Sequence, residues 1–315
     1  MSERVPGLHH VTAISSDPQA NVDFYTDVLG LRLVKQTVNF DDTSTYHLYY
    51  GDEVGTPGTV VTFFPFERGT SGTVGRGQTS ATAFTVPEGS VDYWLERLEN
   101  HSVDHDEPHE RFDETVVPVR DHDGQPLELV TGENDLEPWA DGPVPADHAI
   151  RGFHGVTLDS LDAMATATVL ETMGYEERAR DGSRTRFVAE SDRAAVVDVL
   201  DRPDGERGRQ GLGTVHHVAF RTADDETQAE WRERLSELGL GVTPQKDRQY
   251  FRSIYTREPG GILFEIATDG PGFDRDESVE ELGTALKLPP WLEDDRTQIE
   301  QHLPELTVGE PAEVN

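Results

Sequence analysis

The sequence repeats itself. Gly7-Leu8-His9-His10-Val11-Thr12 near the start is echoed far downstream by Gly213-Thr214-Val215-His216-His217-Val218-Ala219. The residues after each copy match as well. After the first, Pro18 to Leu29 has helical spacing and stops at Gly30, and three strand-like runs come next: Leu31 to Asn39, Thr45 to Tyr50 and Thr59 to Phe64. After the second, Thr227 to Leu238 is amphipathic through Trp231, Leu235 and Leu238, with Gly239 and Gly241 as its stop. Arg248 to Thr256 and Gly261 to Ala267 then read as strands around the turn Pro259-Gly260-Gly261.

Two weaker copies lie between. One opens near Thr79, with a helix from Ser90 to Glu99 and a last strand at Pro126 to Val130. The other opens at Gly152-Phe153-His154-Gly155-Val156-Thr157, with a helix from Ser160 to Met173 and a last strand at Ala194 to Leu200. Four copies of about fifty to sixty residues fill most of the chain, and the reading is an α+β protein of four βαβββ modules. The acidic, Pro-rich run Gly132 to Asp147 reads as a linker. The expected organisation is two modules over 1–135, a linker at 136–150, two modules over 151–269 and a tail over 270–315. In the tail, Gly270 to Asp276 is loop, Leu286 to Pro290 a turn and Trp291 to Leu303 a short helix, with Trp291 and Leu292 packed on the body.

Charge narrows the function. Sixty-one acidic residues face 27 basic ones, a net −34, and the only lysines are Lys35, Lys246 and Lys287. No basic patch can neutralise phosphates, which argues against a nucleic-acid partner. Acid spread along the whole chain suits a solvated surface in high salt, where screening removes self-repulsion, and so a halophile's protein. Recurrent aromatic residues and apolar periodicity argue against disorder. The start Met1-Ser2-Glu3-Arg4 lacks the apolar stretch of a signal peptide and no run reaches membrane-spanning length, so the expected location is the cytoplasm, with no membrane partner. With no cysteine there is neither a disulfide nor a thiolate metal site. Oligomeric state stays open, a homo-oligomer included.

Histidines at module starts and Glu265 in the last strand mark this as a relative of the vicinal oxygen chelate superfamily, which contains glyoxalases and type I extradiol dioxygenases. More narrowly, GLHHVTAI, YHLYYGDEVGTPGTVVTFFPF, GFHGVT, YFRSIYTREPGGILFE and LPPWLE resemble the hydroquinone ring-cleaving dioxygenases of that superfamily, over nearly the whole chain. The resemblance implies modules paired into two open barrel-like domains, an Fe(II) or Mn(II) cofactor, and a small aromatic substrate cleaved with O2 by a non-haem, extradiol-type dioxygenase.

Successive strand side chains alternate faces, so one histidine of each pair should enter a shared cavity. Registering the modules lays His154 over His9 and Gly155 over His10. If the second histidine of each pair is the ligand, the set is His10, His217 and Glu265, the set the resemblance also implies. The rival set is His154, His217 or His216, and Glu265, with Asp198 nearby as a fourth ligand. Four protein ligands would suit a redox-neutral glyoxalase or epimerase. Three on one face, with no ligand offered by Val60-Val61-Thr62-Phe63-Phe64, leave positions for substrate and O2, and this set is preferred. A carboxylate inside Ile262-Leu263-Phe264-Glu265-Ile266 is costly to bury without a cation. A metal-free aromatic-binding protein is a third reading.

The resemblance further implies that His9, Thr12, His216, Arg248 and Tyr255 contact the substrate or support the metal ligands. Each also has a plainer reading: a hydrogen-bonded strand histidine, a surface ion pair of Arg248 with Asp247, strand packing for Tyr255. His47, His101, His105, His109, His122 and His302 are expected on the surface, and Glu128, at the place of Glu265 in the second module, is expected to face solvent.

Overall fold

The computed structural model describes residues 4–308. Every module has the expected order of strand, helix and three strands. Module one supplies β1 (Leu8–Ser15), α1 (Pro18–Asp23), β2 (Arg32–Asn39), β3 (Asp42–Gly51) and β4 (Val60–Pro65). Module two supplies β5 (Gln78–Val86), α2 (Val91–Asn100), β6 (His109–Arg111), β7 (Glu114–Arg120) and β8 (Pro126–Thr131). Module three supplies β9 (Phe153–Asp159), α3 (Ala163–Thr172), β10 (Glu176–Asp181), β11 (Arg184–Val188) and β12 (Val196–Leu200). Module four supplies β13 (Thr214–Thr222), α4 (Asp225–Glu237), β14 (Lys246–Asp247), β15 (Arg252–Arg257) and β16 (Leu263–Thr268), and α5 (Arg296–Glu300) lies in the tail.

The strands form two eight-stranded sheets, each curled into a half-barrel, in the orders β14-β15-β16-β13-β1-β4-β3-β2 and β10-β11-β12-β9-β5-β8-β7-β6. Modules one and four share the first sheet and modules two and three the second. Each sheet therefore takes one module from 1–135 and one from 151–269.

The antiparallel pair β1/β13 is the hinge of the first sheet. Thr12 faces His217 and His10 faces Ala219, so exchanging the strands returns the same pattern and a local two-fold relates the two modules. The register slips by one residue at His9 and again at His216. These are β-bulges, which re-aim side chains and are common beside active sites. The pair β5/β9 repeats the slips at Ser80 and His154. His154 is thus the counterpart of His9, and Gly155 stands where His10 would be. A Cβ on Gly155 would lie 2.2 Å from the Val196 carbonyl oxygen, so no side chain fits there.

Several local expectations are corrected. The helix expected over Pro18 to Leu29 is α only to Asp23, capped by the Asp17 carboxylate, and finishes as a π turn over Phe24–Val28 that buries Phe24, Tyr25 and Val28. The strand expected from Arg248 begins at Arg252, because Gln249 takes a left-handed φ of 67° and breaks the ladder. That break turns Tyr250 and Phe251 into the interior. Trp291 is half exposed (50%), meeting Phe40 edge-on at 5.7 Å, and Leu292 packs partly against Val38, Leu288 and Ile299. The tail helix is shorter than expected, a 3-10 turn at Glu293–Asp295 followed by α5. Buried Lys35 ties the tail to β2 through Asp276, at 2.6 Å, and Glu277.

Glu128 does not face solvent. It is buried and receives two hydrogen bonds from Arg111, at 2.8 and 2.6 Å. Asp198, at the matching place in module three, is held by Arg184 at 2.9 Å and by Arg186 at 2.8 Å. Arg186 also donates to Glu114 at 2.6 Å, and Glu114 lies 2.9 Å from His154 Nε2. The second half-barrel thus fills its centre with guanidinium–carboxylate pairs. Removing one partner of a buried pair leaves an uncompensated charge, so Arg186→Met should lower the unfolding free energy by about 3–5 kcal/mol in a denaturant titration. Metal content should not change.

Candidate metal centre

His10, His217 and Glu265 converge where β1, β13 and β16 meet. His10 Nε2 lies 3.3 Å from His217 Nε2. Glu265 Oε2 lies 2.9 Å from His217 Nε2 and 3.5 Å from His10 Nε2. All three residues are buried, with 2%, 5% and 1% exposure for His10, His217 and Glu265. Among the described residues this is the one group of three or more histidine and carboxylate ligand atoms close enough to hold an ion.

Protonation decides whether the group fits a cation. His9 Nε2 is 3.1 Å from the Thr268 carbonyl oxygen, which can only accept, so that nitrogen carries the proton. Burial, reinforced by neighbouring His10, holds the His9 pKa well below the usual range, so its Nδ1 is bare. That bare Nδ1 lies 2.9 Å from His10 Nδ1, which must be the donor. His10 Nε2 is therefore a lone pair pointing at His217 and Glu265. The other pair is built alike: His216 Nδ1 lies 2.7 Å from His217 Nδ1, and burial, with help from His217, takes the His216 pKa down to about 3. His217 can carry its proton on Nδ1, towards His216, or on Nε2, towards Glu265; a cation at the site would select the first, leaving two bare ring nitrogens and a carboxylate oxygen to face it.

Burial alone would raise the Glu265 pKa, but a proton carried towards it by His10 or His217 outweighs burial and holds the carboxyl well below the usual carboxylate range, so the site attracts positive charge. Glu265 Oε1 accepts from the Ser253 hydroxyl at 2.5 Å, whereas Oε2, fully buried, faces His217 Nε2 and His10 Nε2. Lone pairs in this arrangement repel unless a proton or a metal cation lies among them, and two imidazoles with a carboxylate suit a divalent transition metal.

A cavity of about 380 Å³ opens above the group. Its walls are aromatic: Phe40, Tyr49, Phe64, Phe66, Phe251 and Tyr255. The Phe251 ring stands 4.9 Å from that of His10 and 5.0 Å from that of His9. Arg248 lines one wall, donating through Nε to the Tyr255 hydroxyl at 3.1 Å and through Nη2 to Asp41, not Asp247, at 3.1 Å. Burial pushes the Tyr255 phenol up, so it keeps its proton.

Of the residues singled out in the sequence, His10, His217, His216, Arg248 and Tyr255 line this cavity, and Glu265 lies beneath it. Thr12 is buried, 2.9 Å from the Thr62 hydroxyl, and His9 stands behind His10. His154 and Asp198 belong to the other sheet, so the rival set does not form. His47 corrects an expectation, for it lines the cavity instead of the surface, with Nε2 2.8 Å from the Thr62 hydroxyl and Nδ1 2.7 Å from the Tyr49 hydroxyl. The signal was strand alternation in Tyr46-His47-Leu48-Tyr49, which puts His47 on the face of Tyr49. His122 is half-buried against Asp123, at 3.1 Å.

Burial lowers the pKa values of His9, His47, His216 and His217 from 6.5. Below that value the unfolded chain takes up protons that the folded chain refuses, so stability is full above pH 6.5 and is lost as pH falls. Each imidazole should remove up to about 1.4 kcal/mol one pH unit below 6.5. Thermal unfolding of the metal-free protein should therefore shift to lower temperature between pH 7.5 and 5.5, and a flat profile would contradict the burial of these rings.

The model of the Glyoxalase/Bleomycin resistance protein/Dioxygenase superfamily matches residues 7–129 and 138–266. The chain is 48% identical over 305 residues to MhqO of Bacillus subtilis (strain 168), provisionally named a ring-cleaving dioxygenase, covering 96% of this chain and 97% of the relative. It is 39% identical over 306 residues to the chlorohydroquinone/hydroquinone 1,2-dioxygenase of Sphingobium indicum, covering 93% and 94%. A crystal structure from Bacillus subtilis, titled a dioxygenase on a provisional basis, superimposes with a TM-score of 0.95 at 48% identity over 98% of this chain and 99% of that one. Glyoxalase I from Zea mays, at 16% identity and a TM-score of 0.63 over 84% of this chain and 92% of its own, shares the fold. Two family matches in tandem, along most of the chain, make it a member of the Glyoxalase/Bleomycin resistance protein/Dioxygenase superfamily.

Proposed function

We propose that this protein is an Fe(II)-dependent dioxygenase that opens a hydroquinone-type aromatic ring with O2, its metal held by His10, His217 and Glu265. The observation that carries this reading is a three-ligand face beneath an aromatic-walled cavity, with no fourth protein ligand among the described residues. Three ligands on one face are the arrangement of non-haem Fe(II) oxygenases. The names of the relatives agree with it.

Bound there, Fe(II) would supply open positions for an ionised ring oxygen and O2, and the electron supply that O2 activation needs. The protein supplies the surroundings. The phenylalanines exclude water and hold a flat ring. Arg248, whose Nε is committed to the Tyr255 oxygen, leaves the Tyr255 proton free to donate to a substrate oxygen, while its guanidinium offsets negative charge that builds up nearby. His216 meets His217 through its Nδ1, which leaves its Nε2 for a ligand in the cavity. His9 fixes the protonation state of His10.

The redox-neutral reading fits less well, because Asp198 is occupied by two arginines in the other sheet. A metal-free binder would have no use for two histidines and a buried carboxylate converging on one point. The test is oxygen consumption in molar salt by protein loaded anaerobically with Fe(II), Mn(II) or Zn(II) and offered hydroquinones, catechols or a hemithioacetal. One O2 consumed per hydroquinone lost, with Fe(II) alone, is the expected outcome, and turnover of the hemithioacetal with Zn(II) would overturn the proposal. Loss of a group supporting a ligand costs about 10–100-fold in metal affinity, so loss of a ligand should cost more. His10→Ala should therefore abolish metal content while His154→Ala leaves it intact, and the reverse pattern would refute the ligand set.

A further inference from the structure

The local two-fold gives each residue around Glu265 a partner in module one. Tyr255 pairs with Glu265 across β15/β16 as Tyr49 pairs with Thr62 across β3/β4. Ala219 pairs with Glu265 across β13/β16 as Thr12 pairs with Thr62 across β1/β4. Thr62 thus holds the place of the carboxylate, and His47 holds the place of Ser253. Module four uses these positions to aim a carboxylate at the candidate metal site. Module one fills them with two hydroxyls and an imidazole.

These groups form a continuous chain. The Thr12 hydroxyl lies 2.9 Å from that of Thr62, which lies 2.8 Å from His47 Nε2, and His47 Nδ1 lies 2.7 Å from the Tyr49 hydroxyl. The threonine end is fully buried, while His47 and Tyr49 line the cavity. Protons in such a chain can all point either way. In one direction His47 donates to Tyr49 and the phenol proton is free for a ligand oxygen. In the other Tyr49 donates to His47 and its oxygen is free to accept a ligand hydroxyl. The chain therefore presents a group that matches either proton state of a ring oxygen. β3 lies on the opposite side of β1/β13 from β15, so this group faces the cavity across from Tyr255 and Arg248.

We propose that His47 and Tyr49 form the receptor for the ring oxygen that the metal does not take, selecting rings with hydroxyls on opposite edges. Thr62 and Thr12 are positioning residues that hold the imidazole. The inference rests on the metal site and aromatic substrate proposed above. It places specificity in module one and metal binding mainly in module four.

The test compares binding of hydroquinone and phenol, which differ only by the second oxygen, to the Mn(II)-loaded full chain without O2, by calorimetry. The unaltered protein should bind hydroquinone about tenfold tighter, the size of one net hydrogen bond. In His47→Phe and in Tyr49→Phe that preference should fall to about twofold or less, with phenol affinity and metal content unchanged. Tyr49→Phe removes a single oxygen from a buried ring, and unchanged metal content reports an intact fold. No preference in the unaltered protein, or a preference that persists in either variant, overturns the receptor. Oxygen uptake by the Fe(II)-loaded protein is measured separately. Selective binding that His47 and Tyr49 control, with no oxygen consumed, would refute the dioxygenase reading and leave the receptor standing. Ring cleavage with an unchanged preference would do the reverse.

Discussion

Two histidine nitrogens held 3.3 Å apart, both facing a buried carboxylate oxygen, are the constraint around which this structure is arranged. Such a contact is unfavourable unless a proton or a cation is shared within it, and the fold holds it from several sides. The bulges at His9 and His216 rotate the neighbouring rings back onto the Nδ1 atoms of His10 and His217. The carbonyl of Thr268, at the end of β16, fixes the proton on His9 and through it the bare Nε2 of His10. One strand thus supplies a carboxylate from its third residue and, at its last residue, sets the protonation of a histidine two strands away.

The second half-barrel shows what the same frame does without the histidine pairs. Carboxylates recur at the matching places, Glu128 and Asp198, but Gly155 replaces the histidine and arginines supply the positive charge. Arg186 comes from the place that Tyr255 holds in module four, opposite the carboxylate on the neighbouring strand. A covalently attached cation cannot leave, so the charge of these carboxylates is balanced without a bound ion. Guanidinium forks match carboxylates bidentately, which a buried lysine could not do as well.

Much of this was legible in the sequence because it depends on period and repetition. The four modules follow from recurring strand, helix and turn signals, and aligning their first strands lays His154 over His9, but preferring His10 to His154 as a ligand leans on the family resemblance as well. The low polarity around Glu265 marked it as a carboxylate in need of a partner. What stayed hidden depends on contacts between modules and between strands. His47 looks like a surface residue beside Thr45 and Tyr46 until β3 is laid next to β4, and Glu128 looks exposed until Arg111 is brought over it from β6. The bulges cannot be read at all from one strand, since a bulge is a property of a pair. Gln249 has an ordinary strand neighbourhood in sequence, and only its left-handed backbone shows that the ladder stops there.

The nesting of the modules also orders their assembly. Modules two and three adjoin in sequence and pair with each other, so their half-barrel closes over a shorter stretch of chain than the one joining modules one and four. Modules one and four lie at the two ends of that unit. As the chain emerges from the ribosome, module one must wait with β1 as an unpaired edge until β13 arrives, and an open edge is the part of a sheet most prone to pair wrongly. The strand left waiting carries His9 and His10, and its intended partner carries His216 and His217. The seam that carries both histidine pairs is thus the last to be closed.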